Sequence, residues 1–517
     1  MIKRILPMKP LLKREDYYLL LIFIFMALGI LTKSFFNDDG YITPDSAGYL
    51  ALAQNLVEGN GFYVYSSYRP SNERSFFAVW PVGYPIFIYL VAKAFGISVF
   101  LASKIVNIIF IGISILLFRK LFKKNAYVYS LIFFAATFIL IFTLTWSEVP
   151  FIFGLLWFST AVYYFSQNTN SKLLIFNLFT SSLFLFLNRY IGAFSIGFIG
   201  MMSIFYLRKK DYKTSFKLIL VSFVGFSIIA LYLYHNYLKT GYFTGTVRLP
   251  APETNFELLK MLIRALVIEL NIIRTPGGRH ITNTFKFSAW FVLQLGFFLY
   301  LFWKIKDYIH DINKNEEKYH LYKYFIFVGI TYFFCIVLIR WYTNFIGFYC
   351  RLLGPASFLF FIAFVNYVEF KYSQKVFQKL KVFIVITCIV SYLLNVPLIT
   401  IKMFLQSEEK TYQTYYGKIS ELKDLYSKIP QNSVVVFPNI HLYYLRTDII
   451  GLAPFYPGLA GTKKESMQEF LIRINKIFPE KEVYFQIKDN KPYKDPYHKS
   501  IIEFVDNNQG KEFVKIK

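Results

Sequence analysis

Runs of roughly 18 or more apolar residues recur through the first 400 positions of this 517-residue chain, and no other feature constrains its fold as much. The length criterion predicts about eleven membrane-spanning helices. They fall near 17–35, 101–120, 126–146, 148–166, 173–188, 191–207, 215–234, 286–304, 323–340, 355–370 and 381–400. The first run follows Lys and Arg as a signal peptide would. It is too long for one and no small-residue cleavage site follows, so it reads as a retained span. Composition agrees: with 56% hydrophobic residues, 21% aromatic residues and a mean hydropathy of +0.42, the chain has more apolar surface than a soluble protein can cover.

The net charge of +26 does not point to nucleic acid, because its distribution follows the spans. Lys3, Arg4, Lys9, Lys13 and Arg14 precede the first; Arg119, Lys120, Lys123 and Lys124 follow the second; Arg208, Lys209, Lys210, Lys213 and Lys217 come later. Further clusters lie at 304–323 and 371–381, and loops poor in Lys and Arg alternate with them. This positive-inside pattern puts the clusters in the cytoplasm, and an odd span count puts the N-terminus inside and the C-terminus outside. Cys335, Cys350 and Cys388 lie in or beside apolar runs and suggest neither a disulfide framework nor a metal cluster. Two outer segments, about 36–100 and 236–285, are long enough to imply a task. From about 401 the chain turns polar; "NSVVVF" and "EVYFQIK" read as strands and "SMQEFLIRINKIF" as a helix, giving a small α/β outer domain over 401–517 after a membrane module over 1–400.

The first outer segment carries the richest local signals. In "TPDSAGYLALAQNLVEGNGF" Thr43 is a good N-cap and Pro44 suits the first helical position. Asp45 then falls in the first turn, where it favours the positive end of the helix dipole whether or not it has any further role. Tyr49, Leu52, Ala53 and Leu56 share a face, and glycines end the helix. Too short to span, it is expected to lie on the bilayer. "FAVWPVGYPIFIYLVAKAFG" adds a Pro-rich aromatic turn around Gly83 and Tyr84 and a second short helix ending at Gly96.

This order of basic N-terminus, one span, "PDSAGYLALAQNLVEGNGF" and "WPVGYPIFIYL" resembles the GT-C integral-membrane glycosyltransferases, in the branch of protein O-mannosyltransferases and aminoarabinose–lipid A transferases. "WSEVPF", "LNRYIGAF", "YHNYLKTGYFTGTVR", "YCRLLGPASF" and the tail's "KIPQNSVVVFPNIHLYYL" extend the likeness along the whole chain. The resemblance implies a mainly α, polytopic helix bundle with outer juxtamembrane helices. It also implies a glycosyltransferase that takes a sugar, hexose or pentose, from a polyprenyl-phosphate donor at the outer face of a bacterial plasma membrane. The acceptor (protein, lipid or glycan) is not specified. The family often shows Asp-Glu in the first loop; here Asp38-Asp39 and the lone Asp45 stand instead, so the base is open among the three.

Inverting displacement of a lipid phosphate needs a carboxylate to take the acceptor's proton and cations or amides to hold the leaving phosphate. Asp45 is the first candidate base because its spacing to Tyr49 matches the family pattern; Asp38-Asp39-Gly40 also reads as an ordinary turn. Glu148, at the outer end of a span, is a second acid that would orient the acceptor or bind a divalent metal, or simply a helix-start residue. No His/Asp/Glu cluster with ligand spacing requires a metal or other cofactor. Arg189 and Arg351 stand in apolar surroundings and are default phosphate or carboxylate partners, with snorkelling to the interface as the plainer reading. Tyr49, Tyr84, Tyr190 and Arg248 are further candidates for substrate binding; "RTPGGRH", with Arg274, Arg279 and His280, reads as a solvated loop, and His235 as an interfacial residue. The alternatives are a flippase of lipid-linked sugars, which would show inverted repeats and midplane charges that are not seen here; a glycan polymerase or ligase resting on Arg248, Arg279 and His280; and a non-catalytic scaffold.

Overall fold

The computed structural model describes residues 13–65, 72–270, 320–344, 350–398, 414–436, 438–452, 467–487 and 507–517, with a few positions between. Among them, eight helical stretches are long and apolar enough to cross a membrane. Helix α1 (Arg14–Phe35) comes first, and then, after the outer segment with α2 (Pro44–Val57), the hairpin β1–β2 (Tyr63–Val64, Ser75–Phe76) and α3 (Gly83–Phe95), comes α4 (Val99–Phe122). The chain continues through α5 (Ala126–Ser130), α6 (Ala136–Thr143), α7 (Glu148–Gln167), α8 (Lys172–Asn188), α9 (Phe194–Arg208) and α10 (Tyr212–Thr240). Helix α11 (Asn255–Glu269) lies in the second long outer segment, and α12 (Leu321–Tyr342), α13 (Cys350–Lys371) and α14 (Gln374–Asn395) complete the bundle. The span expected at 286–304 lies outside the described residues.

The segment 126–146, expected as one span, is instead broken. Its pieces are α5, a 3-10 turn over Leu131–Phe134 and α6, separated at Ala135, whose backbone is extended (φ −69°, ψ 143°). A broken helix frees backbone groups that hydrocarbon cannot satisfy. Here the Ala136 amide donates to the Ile272 carbonyl at 3.0 Å, so a piece of the second outer segment fills the gap. Ser391 and Asn395 of α14 hold the same piece, donating to the Ile272 and Ile273 carbonyls at 2.9 and 2.8 Å. Hydropathy alone could not show this break, since every residue across it is apolar or small.

Helix α2 starts as its sequence dictates: the Thr43 hydroxyl accepts from the Ser46 amide at 3.3 Å and Pro44 occupies the first turn. It does not lie free on the bilayer. Leu50, Leu52 and Ala53 are all fully buried, because α3, α4, the hairpin and the tail enclose the helix from several sides. The start of α3 meets the end of α8 backbone to backbone. A Cβ on Gly83 would stand 2.5 Å from the Leu187 carbonyl oxygen, which explains the glycine in "WPVGYP".

The tail forms a small mixed sheet of order β4–β3–β5–β6, with α15 (Tyr415–Ser427), α16 (Leu442–Leu445) and α17 (Met467–Ile477) around it. Strand β3 (Val434–Val436) runs parallel to β4 (Ile450–Leu452) and β5 (Val483–Gln486), while β6 (Phe513–Lys515) is antiparallel to β5. Parallel neighbours need crossover connections, and the α16 and α17 segments supply them. The tail rests on the first outer segment. Tyr415 stacks on Phe100 at 3.6 Å between ring centroids, Thr447 donates to the Glu58 carboxylate, and Arg74 donates to the Thr447 carbonyl at 3.1 Å.

Candidate active site

The site is built on the turn between α6 and α7, which polar groups on α4 hold in place. Lys104, fully buried, donates to the Thr143 carbonyl at 2.7 Å and to the Thr145 hydroxyl at 3.2 Å. Asn107, one turn on, donates to the carbonyls of Phe142 and Leu144 at 2.8 and 2.9 Å and accepts from the Tyr84 hydroxyl at 2.8 Å. These bonds take up carbonyls left open where α6 ends. The turn is then tied to α2: the Trp146 indole N–H donates to the Thr43 hydroxyl at 2.9 Å, and the Ser147 and Tyr49 hydroxyls are 3.0 Å apart. One residue later Glu148 heads α7, its side chain wholly shielded from solvent.

Four charges meet there. Arg351, from the first turn of α13, binds both Asp45 and Glu148. Arg189, at the end of α8, binds Glu148 as well. One Glu148 oxygen takes both guanidinium groups, and the other has no hydrogen-bond partner among the described residues. Arg351 also lies over the Trp146 ring at 4.6 Å, and Arg189 over Phe151 at 5.7 Å. Two carboxylates set against two guanidinium groups offset one another, which is what allows Glu148 to be wholly buried and the other three to be largely buried. Tyr49 borders it, and burial, followed by the nearby Asp45 and Glu148 charges, raises its phenol above the ordinary range. Its neutral hydroxyl is thus fixed as a hydrogen-bonding group.

The structure therefore brings Asp45, Glu148, Arg189, Arg351 and Tyr49 together. Tyr84 stands one layer behind, its ring centroid 5.5 Å from that of Tyr49. Tyr190 is turned elsewhere and donates to the Ala78 carbonyl at 2.7 Å. Arg248 is exposed and reaches Thr244 and the Val79 carbonyl, both at 3.3 Å. Asp38 and Asp39 sit exposed in the turn after α1, with Asp39 in electrostatic contact with Tyr444 of the tail, and neither joins the cluster. His235 packs edge-on to Phe76 at 5.3 Å. Arg274, Arg279 and His280 lie outside the described residues. No three His, Cys, Asp or Glu side chains come together as metal ligands among the described residues. Sequence reasoning passed over Lys104, Asn107 and Trp146, and gave Thr43 only its role as an N-cap. The available signal was Lys104 itself, an ionisable residue within a predicted span.

A mostly apolar groove runs along α2 from Pro44, lined by Ala47, Gly48, Val64, Phe76, Trp80 and Tyr443. Trp80 separates it from Tyr49, with ring centroids 5.2 Å apart.

The fold is that of the GT-C membrane glycosyltransferases. ArnT from Cupriavidus metallidurans bound to undecaprenyl phosphate aligns with a TM-score of 0.53 at 10% identity, over 92% of this chain and 94% of that one. Its apo state gives 0.51 at 10% identity over the same 92% and 94%. The apo oligosaccharyltransferase of Archaeoglobus fulgidus gives 0.47 at 11% identity, over 92% of this chain and 70% of that one. No protein-family model matches the chain, and no curated protein matches it significantly. At such identities the likeness is one of fold.

Proposed function

We propose that this integral membrane protein is an inverting glycosyltransferase that moves a hexose or pentose from a polyprenyl-phosphate carrier to an acceptor at the outer face of a bacterial plasma membrane. The observation that carries the reading is the largely buried cluster of Asp45, Glu148, Arg189 and Arg351, set on a GT-C fold. In this reading the N-terminus is cytoplasmic and the tail, as an outer α/β domain over 401–517, lies on the other side.

At rest Arg351 neutralises Asp45. A donor phosphate arriving at the outer end of the bundle competes for that guanidinium, and phosphate offers it a bidentate partner. Once Arg351 turns to the phosphate, Asp45 loses that counter-charge and accepts a proton more readily. The acceptor's oxygen or nitrogen then attacks the anomeric carbon from the face opposite the phosphate. The bond from that carbon to the phosphate oxygen breaks, its electron pair stays on the phosphate, and the acceptor's proton passes to Asp45. Glu148, shared by both arginines, keeps them aimed while the phosphate gains charge. Donor binding and base release are thus coupled through one side chain.

The test is Asp45→Asn, purified in detergent, shown to be folded, and assayed with lipid-phosphate sugars and acceptors that the wild type uses. Full transfer by that variant would sink the assignment. A polymerase or ligase reading would gain instead if Arg248, Arg279 and His280 proved essential.

A further inference from the structure

Helix α11 packs against α13, and its last residue, Glu269, is placed against the grain of local physics. A carboxylate at a helix C-terminus meets the negative end of the dipole. Both Glu269 oxygens are shut off from solvent, and neither makes a well-formed hydrogen bond among the described residues. The one donor acting on it is the Ser357 hydroxyl, which also reaches the Leu353 carbonyl at 3.2 Å. Burial pushes the Glu269 carboxyl up to about 7. A desolvated acid this poorly hydrogen-bonded costs on the order of a few kcal/mol, and no feature of α11 requires one there. The helix is already fixed at its other end by a Thr254–Glu257 capping box.

Glu269 borders the charge cluster. The Cys350 thiol, at the head of α13, lies within electrostatic reach of both Glu269 and Glu148, and the next residue is Arg351. Arg351 is already bound by two carboxylates, and a phosphate beside Glu269 would repel it. With only the shared Ser357 hydroxyl beside it, what the carboxyl lacks is a full set of neutral O–H donors. Of the substrates in the reading above, the lipid-linked donor is the one certain to bring them, on its sugar.

We propose that Glu269 binds a hydroxyl of the donor's sugar and so helps to select the sugar rather than the lipid. This rests on the glycosyltransferase reading. The experiment compares the affinity of the full-length protein for undecaprenyl phosphate with its affinity for undecaprenyl phosphates carrying a hexose, a pentose or an amino sugar. The sugar that gives the largest gain over the bare lipid serves as the probe. E269M should weaken binding of that probe about tenfold, leave the bare lipid unchanged and raise the melting temperature, since an apolar chain of similar length replaces a misplaced acid. E269Q, which can still hydrogen-bond, should lose no more than about threefold. The proposal falls if both lipids weaken equally, if neither changes, if the wild type does not distinguish the sugar-bearing lipids from the bare one, or if E269M lowers stability or does not fold. Asp45→Asn tests the wider reading separately: it should abolish transfer yet keep the preference for the sugar-bearing lipid, so the two ideas fail by different results.

Discussion

Helix α13 has a carboxylate arrangement at each end, and the two are made differently. At the end near Glu369, neutral donors do the work: Asn125 donates to one Glu369 oxygen at 2.5 Å and Tyr129 to the other. At the end near Arg351, two guanidinium groups and two carboxylates share fewer bonds than they can make, and one Glu148 oxygen is left over. An acid that only needs to be buried is satisfied by fixed neutral groups. A cluster of long charged arms with spare valence is arranged to exchange partners.

The sharpest way to break this comparison is Asp45→Asn. A positioned base contributes on the order of 10²–10⁴ in rate, so transfer should fall by that factor, while the stability loss stays smaller than that of Arg351→Ala because Glu148 still holds the guanidinium and Asn can still accept from it. An equal loss of stability would instead make Asp45 a structural partner like Glu369. Next comes Arg351→Ala, which takes one of two guanidinium groups from Glu148 and the Arg351 ion pair from Asp45. Stability should drop by about 3–5 kcal/mol in thermal unfolding, as for a broken buried pair, and a stable, active variant would contradict the shared-arginine geometry.

The tail offers a pH test that leaves the cluster untouched. His441 is fully buried, with its Nδ1 hydrogen-bonded to the Tyr444 hydroxyl, whose oxygen lies 3.1 Å from that of Tyr415. Burial, then the nearby Lys418 charge, pushes its imidazole down from 6.5 to about 3. Between those values the unfolded chain binds a proton that the folded tail refuses, so stability falls as pH drops, by up to about 1.4 kcal/mol per unit below 6.5. His441→Gln should flatten that slope between pH 7 and 5, and an identical slope in both proteins would rule the effect out. The smallest expected change is Glu369→Gln, which keeps an acceptor for Asn125. It should cost roughly 1 kcal/mol of stability and leave transfer unchanged, and a large drop in activity would erase the contrast between the two ends.

Much of this was legible in the sequence because membranes make charges conspicuous. Glu148, Arg189 and Arg351 stood out as ionisable residues in apolar runs, and Thr43-Pro44 fixed the helix that presents Asp45. Their pairing was not legible, since Asp45 and Arg351 are 306 positions apart and no local pattern reports such contacts. Asp38 and Asp39 competed with Asp45 on paper because a turn and a base use the same residue type. Only packing separates them: the turn faces the tail, and α2 faces the bundle. The burial of α2 left no local trace for the same reason, because part of its cover arrives from residues near 440. The break at Ala135 is decided by a carbonyl from Ile272 and leaves no trace in hydropathy.

The distance along the chain between the four charges bears on how the protein is made. Asp45 and Glu148 leave the ribosome before either arginine, Arg189 follows, and Arg351 comes last of the four. Two acids thus enter the nascent bundle ahead of their counter-ions, and their final partner is synthesised only with helix α13. The tail, which closes over α2 through Thr447 and Tyr415, follows later still. A chain stalled before residue 351 therefore lacks the one guanidinium that binds both acids.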